Sequence, residues 1–231
     1  MNDLQSRFIS LISHEFRTPL SIIMATNDLL DRRGERLSTE QRKTYFDVIR
    51  SQVHHLSRLL DDMLAISEAE SAEMTFQPEV VKLNELCRSI AAEYAPILEG
   101  HELVLQAVDP ECLVLLDPAL FRQAILNLLS NAVKYSPAGS AVQMRVASTE
   151  SEIEVTIQDA GIGIPKADLQ YLFTPFHRAP NATLRPGLGL GLTIVKHAVQ
   201  RHGGSVFCVS QEGVGTTFTL RIPRRPIADP I

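Results

Sequence analysis

The chain offers one histidine in a setting suited to nucleophilic chemistry. In Ser13-His14-Glu15-Phe16-Arg17-Thr18-Pro19-Leu20 an imidazole has a carboxylate beside it and a hydroxyl one turn on. A neighbouring carboxylate that accepts from Nδ1–H fixes the tautomer that leaves Nε2 as a nucleophile. With 100° per residue counted from Phe8, the apolar stripe of this segment centres at about 40°, whereas His14 falls at about 240° and Thr18 at about 280°. Both side chains are thus expected away from the packed face. Pro19 lacks an N–H, so the carbonyl of Glu15 loses its helical partner and a bend is expected just after the histidine.

A second set of residues suits the binding of a phosphorylated ligand. Asn127, Asn131 and Lys134 follow at steps of four and three and so project from one face of a helix. Asp159-Ala160-Gly161-Ile162-Gly163 follows a strand pattern; its acid can accept from an amino group while its glycines let backbone approach a flat ring. Gly187, Gly189 and Gly191 open a further helical pattern, offering unobstructed N–H groups and the positive end of a helix dipole to phosphates. No GxxxxGK[ST] loop is present. The glycines do not follow a strand, and no acid lies about 20 positions on, which disfavours a dinucleotide-binding βαβ unit. Arg122, one turn before Asn127, is either a helix-surface charge or a phosphate neighbour.

These residues need elements to hold them. Leu4, Phe8, Ile12, Phe16, Ile23 and Leu30 draw a helical stripe over residues 2–32, which Gly34 ends. Thr39 can cap a second helix, along which Phe46, Ile49, Val53, Leu56, Leu60 and Met63 keep the three-four spacing of a coiled-coil seam. Two helices of roughly 30 residues, about 45 Å each, cannot cover both stripes alone. A four-helix bundle made by two chains is the economical solution, with twofold symmetry.

Around residues 71–76 the helical period breaks, and Pro78 with EVVKL starts a different pattern. The expected domains are 1–72 and 73–231. Beyond the boundary the pattern predicts a helix over 83–98, strands at 102–108 and 113–115, a helix over 118–135, strands at 142–148 and 153–158, a helix over 190–202 and two strands ending near 222. This is an α+β layer of helices over a mixed sheet.

Composition sets bounds on function. The 231 residues are 45% hydrophobic and 21% charged, a soluble globular balance. Runs such as 113–116 and 22–25 fall far short of the roughly 18 residues a membrane span needs. Asn2, Asp3, Gln5 and Arg7 interrupt any signal peptide, so the chain is expected to be cytoplasmic. With 22 basic against 27 acidic residues and no basic block, nucleic acid is not an expected partner. Cys87, Cys112 and Cys208 read as buried free thiols.

The segment from Ser13 to Leu20 resembles the H box of sensor histidine kinases of two-component systems. NLLSNAVKYS, DAGIGIP, FTPFHR, GLGLGL and GVGTTF, in that order, resemble the N, G and F boxes of the ATP-binding domain of the same kinases, a member of the GHKL superfamily with the Bergerat-type sandwich. The resemblance covers residues 4–222. It implies a dimerisation and histidine phosphotransfer domain followed by a catalytic ATP-binding domain. By resemblance His14 is the phosphoacceptor, Glu15 its base or orienter, and Thr18 the group that places water for dephosphorylation of a regulator. Asn131, with Asn127, would hold Mg²⁺. Lys134 and Tyr135 would approach the phosphates and the nucleotide edge, and Asp159 would receive the adenine amino group. Gly161 and Gly163 would shape that pocket, Gly187, Gly189 and Gly191 would face phosphates, and Arg178 would reach the γ-phosphate. Residues 179–186 read as the ATP lid, with Phe173 and Phe176 as packing anchors beneath it.

The implied partners are a second copy of the chain through the hairpin and the receiver domain of a response regulator, and the implied cofactors are ATP and Mg²⁺. Met1 lies 13 residues before His14, so the chain reads as a piece of a longer sensor whose input is not present. A clamp-type ATPase of the gyrase or heat-shock kind is disfavoured because Asn127 stands where such proteins resemble one another in carrying a glutamate. A scaffold with a vestigial site is disfavoured by the intact Asn131, Lys134, Asp159 and glycines.

Overall fold

The structure is a computed structural model. It describes residues 2–33, 36–70, 76–98, 100–107, 112–183, 185 and 187–224; in the first two helices the side chains of residues 2–12, 14, 15, 33, 54, 55, 58, 59 and 61–70 lie outside that description. The chain divides into two compact units, one of residues 1–67 with 186–188 and one of 68–185 with 189–231.

The first unit is a pair of long helices, α1 (Asn2–Arg33) and α2 (Thr39–Glu70). The helix α1 runs through Pro19. The expected stop at Gly34 lies outside the described residues. The cap of α2 is Ser38 rather than Thr39. Ser38 Oγ accepts from the Gln41 N–H at 3.1 Å while Gln41 Oε1 accepts from the Ser38 N–H at 3.0 Å. This reciprocal capping box satisfies two end groups at once, which Thr39, with glutamine only two positions on, could not do. Along α2, Phe46, Val53 and Leu60, spaced by sevens, are exposed, and Leu20, Ile22, Met24 and Leu29 are exposed on α1.

In the second unit β1 (Glu79–Lys82) pairs antiparallel with β3 (Leu113–Leu116), from Glu79 opposite Leu116 to Lys82 opposite Leu113. The helix α3 (Leu83–Tyr94) is followed by a single 3₁₀ turn, Ala95–Ile97, so it is shorter than the period suggests; Pro96 sets the change. The main sheet takes β2 (Glu102–Ala107), β4 (Ala141–Ser148), β5 (Glu152–Gln158), β7 (Gly215–Pro223) and β6 (Ser205–Gln211), in that spatial order. Its β2–β4 pair is parallel and the rest antiparallel. A parallel pair requires a crossover, and α4 (Pro118–Tyr135) lies within it. The last helix is α5 (Gly191–Arg201).

Alternation decides which face of the sheet is covered. Val142, Met144 and Val146 of β4, Ile153, Val155 and Ile157 of β5, and Phe218, Leu220 and Ile222 of β7 are buried in one core with Ile90 of α3, Phe121, Ile125 and Leu129 of α4, and Val195 and Val199 of α5. Burying a side chain such as Phe121 stabilises by about 2–3 kcal/mol. Cys87 and Cys112 are buried and Cys208 half-buried, and all are free thiols. Burial pushes Cys87 up to about 12, so it stays a thiol at neutral pH.

The start of this unit is tied to both helices that frame the candidate site. Asp117 caps α4, its Oδ1 accepting from the Ala119 and Leu120 N–H groups, while its Oδ2 accepts from the Gln77 N–H at 3.0 Å. Its own N–H donates to Nε2 of the buried His202, just past α5, and Nδ1–H of His202 donates to the Ala198 carbonyl. Both contacts hold only for the neutral ring with the proton on Nδ1. Phe76 meets that ring edge-on at 5.1 Å between centroids.

Replacing Asp117 with Ala strands three N–H groups, so Asp117→Ala is expected to cost about 2–4 kcal/mol in denaturant unfolding. Asp117→Asn, which retains Oδ1 for the cap and loses the acceptor for Gln77, is expected to cost about 1 kcal/mol. Equal losses for the two variants would contradict the separate roles of the two oxygens.

Candidate nucleotide-binding site

The helix α4 contributes two places to the site. Asn127 and Asn131, one turn apart, are half-buried. Nδ2 of Asn127 donates back to the Gln123 carbonyl at 3.0 Å, which leaves Oδ1 as the acceptor of the amide. That oxygen lies against the first residue of α5, where a Cβ on Gly191 would stand 2.7 Å from it. Glycine is needed there for close approach. At the end of α4, Lys134 Nζ lies 4.9 Å from the centre of the Tyr135 ring. The Tyr135 carbonyl accepts from the Ile162 N–H at 3.1 Å and fits against Gly161, whose added Cβ would come within 2.7 Å.

Asp159, at the end of β5, is where the loops converge. Its Oδ1 accepts from the Gly161 N–H at 2.8 Å and the Thr216 N–H at 3.2 Å. Its own N–H donates to the Thr216 carbonyl. Burial pushes its carboxyl above the ordinary value, and these two hydrogen bonds partly oppose the rise. Burial first, and the nearby Asp159 second, push the Cys208 thiol up to about 12.

The glycine loop after Asp159 is pinned to the β6–β7 turn. Gly163 has φ +64°, and a Cβ there would fall 2.0 Å from the Gln211 carbonyl. The Gly213 N–H donates to the Ile162 carbonyl, and the Ile164 N–H donates to Ser210 Oγ, which donates to the Gly215 carbonyl.

The segment between β5 and α5 has its own bracing. Phe173 packs against the core. Phe176 takes a left-handed φ of +65°, and its N–H donates to the carbonyl of Gly189, itself at φ +73°. Such a conformation is costly for a bulky residue and persists only where its surroundings fix it. His177 Nε2 lies 3.0 Å from Asp168 Oδ1. Arg178 Nη2 donates to the carbonyls of Ala182, at 2.7 Å, and Arg185. A phosphate contact would require Arg178 to leave those carbonyls.

The residues expected from sequence are therefore distributed as follows. The structure brings Asn127 to Gly191, Tyr135 to Gly161, and Asp159 to Gly161. Gly189 belongs to the bracing of the F box, and Gly187, at φ +144°, belongs to the segment grouped with the hairpin. His14 and Glu15 lie in α1 with side chains outside the described ones, and Thr18 is exposed on the same helix. Arg122 pairs with Glu93 and Ser89 on the helix surface. The sequence pattern does not single out Thr216, although GVGTTF contains it, nor Asn181, whose Nδ2 donates to the Gly163 carbonyl. Among the described residues no group of three or more His, Cys, Asp or Glu side chains is placed to hold a metal, and no helix is long and apolar enough to cross a membrane.

Helices over a mixed sheet, with a strand-end aspartate set among glycine loops and asparagines on the adjoining helix, define an ATP-binding domain of the GHKL class. Residues 116–226 match the family described as histidine kinase-, DNA gyrase B-, and HSP90-like ATPase, and residues 4–72 match the His Kinase A (phospho-acceptor) domain. The chain is 30% identical over 225 residues to the adaptive-response sensory kinase SasA of Synechococcus sp. strain JA-2-3B'a(2-13), covering 96% of this chain and 60% of that protein. Among solved structures, the mycobacterial sensor histidine kinase MprB is 30% identical, with a TM-score of 0.58 over 64% of this chain and 100% of that one. Full-length ShkA in complex with AMPPNP is 28% identical, with a TM-score of 0.68 over 98% of this chain and 47% of that one. The chain belongs to the sensor histidine kinase family. It spans 60%, 37% and 26% of the length of three curated relatives it matches.

Two outcomes follow from the geometry. Because burial holds the Asp159 carboxyl above its ordinary value, its contribution to stability is full below the ordinary Asp range and is lost as pH rises through the raised value. Asp159→Asn, whose Oδ1 still accepts from Gly161 and Thr216, is expected to raise the Tm of the nucleotide-free protein at pH 7; an unchanged or lower Tm contradicts this. Gly191→Ala is expected to keep the Tm but to turn the Asn127 amide and weaken ATP binding about tenfold, or about 1.4 kcal/mol. Calorimetry with ATP checks it.

Proposed function

We propose that the chain is the catalytic core of a sensor histidine kinase that transfers the γ-phosphoryl group of Mg-ATP to His14 and then to an aspartate of a response-regulator receiver domain. Residues 1–72 would serve dimerisation and phosphotransfer, and residues 73–231 would bind and present ATP. The observation that carries the reading is Asp159, fixed through Oδ1 by two backbone N–H groups beside glycines that admit a flat ring. AMPPNP, an ATP analogue, is bound in the ShkA structure, which supports ATP as the ligand here.

In this reading the second carboxylate oxygen of Asp159 accepts from the adenine amino group. Gly161 and Gly163 leave room for the ring, and Lys134 and Tyr135 line the path toward the phosphates. The start of α5 at Gly189 and Gly191, with Gly187 before it, offers N–H groups to phosphate oxygens. Arg178 reaches the γ-phosphate if it releases its carbonyls. Asn127 and Asn131 suit Mg²⁺, since Nδ2 of Asn127 is committed to Gln123 and its Oδ1 is an oxygen of the hard type that Mg²⁺ takes beside phosphates. When bound, the ion neutralises charge on the transferring phosphoryl group.

Glu15 accepts the Nδ1 proton of His14, and Nε2 attacks the γ-phosphorus. The N–P bond forms as the bond to the β,γ-bridging oxygen breaks and ADP leaves. Catalysis is in-line positioning and charge neutralisation, as for phosphoryl transfer in general. Glu15 and Thr18, on one helix, also suit a phosphatase activity that removes phosphate from the regulator. Exposed Phe46, Val53 and Leu60 on α2 support a second copy of the chain as the partner that covers the seam.

Incubation with γ-labelled Mg-ATP tests the proposal. The expected product is an acid-labile, base-stable label in the wild type and none in His14→Gln. Label that persists in His14→Gln, or that resists acid, would overturn it.

A further inference from the structure

Asn181 sits in a 3₁₀ turn, Pro180–Ala182, within the segment read as the lid. The turn is braced from inside: the Ala182 N–H donates to the Ala179 carbonyl, the Thr183 hydroxyl donates to the Pro180 carbonyl, and Arg178 spans the Ala182 and Arg185 carbonyls. From this turn Nδ2 of Asn181 reaches across to the Gly163 carbonyl at 3.0 Å. Gly163 cannot yield, because its backbone lies against Gln211 and its loop is tied to Gly213.

Committing Nδ2 to Gly163 fixes which way the amide faces. Its other atom, Oδ1, is buried and has no hydrogen-bond partner among the described residues. A buried carbonyl oxygen left unpaired is costly, and such groups in native proteins call for a partner. The acceptor stands beside the loop that carries Asp159 and Gly161. A triphosphate offers oxygens that accept and no donors at neutral pH, so a nucleotide can satisfy Oδ1 only through its nucleoside part.

We propose that Asn181 is a nucleotide-specificity residue: its Oδ1 accepts a hydrogen bond from the bound nucleoside, from the exocyclic amino group or a ribose hydroxyl, and that bond fastens the lid turn over the ligand. The inference rests on the ATP-site reading above and adds to it a lid residue that touches the ligand. Asp159 and Asn181 then hold the nucleoside from two loops joined through Gly163.

The test is a set of affinities for the full chain, wild type and Asn181→Ala, measured calorimetrically with ATP, 2′-deoxy-ATP, 3′-deoxy-ATP and purine riboside triphosphate, in magnesium and in EDTA. Asn181→Ala is expected to bind ATP about tenfold more weakly. One analogue, the one lacking the donor, is expected to lose about tenfold more against the wild type than against the variant, purine riboside triphosphate losing its bond to Asp159 in both. Which analogue it is identifies the amino group or the hydroxyl. Equal ATP affinity for the two proteins overturns the inference. So do losses of the same size in both proteins for all three analogues, since Oδ1 then bonds water, and so does a loss seen only with magnesium, since metal-bound water is then the donor. A wild type that binds none of the nucleotides overturns the ATP-site reading, and this inference falls with it.

Discussion

A half-buried carboxylate held by two backbone N–H groups is the constraint around which the second unit is arranged. Asp159 loses hydration by sitting at the end of β5, and burial pushes its carboxyl upward. It persists because Gly161 and Thr216 donate to one oxygen. Those donors are in place only if β5 and β7 keep their register, with Gln158 opposite Thr217. Gly215 must also pass against the Asp159 carbonyl, where a Cβ would stand 2.2 Å away. A local electrostatic requirement thus reaches through the sheet register to glycines at separate points of the chain, and on the proposed reading it leaves the second carboxylate oxygen for a ligand.

The two units divide the chemistry. On the proposed reading the nucleophile comes from one helical segment, so it is legible in local sequence. On the same reading, recognition of a nucleotide needs donors and acceptors from distant segments, and those proposed lie on α4, the loop after β5, the β6–β7 turn and the start of α5. The parallel β2–β4 pair forces a crossover that carries α4 over the sheet, which is how Asn127 comes to face Gly191. Asp117 and His202 fasten the opposite ends of α4 and α5 to the entry of the chain at Gln77, so the framing helices are held where the unit begins.

Much of the fold was legible because its signals are local and periodic. The long helices, α4 and the strands that alternate buried and exposed residues lie within a few residues of where the pattern puts them. The differences have physical causes. Ser38 caps α2 because Gln41 lies three residues on, a pairing that outweighs the choice of threonine one position later. Pro96 converts the end of α3 to a tighter turn. In the site, residues whose type carries chemistry, such as Asp159 and the asparagines, stand out in the sequence, whereas those that act through backbone or through a distant partner do not. Thr216 donates a main-chain N–H that any non-proline residue owns. Asn181 and Arg178 take their meaning from carbonyls that only the folded loops bring near.

We propose that Asp159 reads the base. Affinities of wild type and Asp159→Asn for ATP and for inosine triphosphate, in which a carbonyl replaces the adenine amino group, test it most directly. Wild type should prefer ATP by about tenfold or more, and Asp159→Asn, whose amide can donate to the inosine carbonyl, should lose or reverse that preference. A wild type that binds both nucleotides equally, or a variant that keeps the wild-type preference, would contradict the claim.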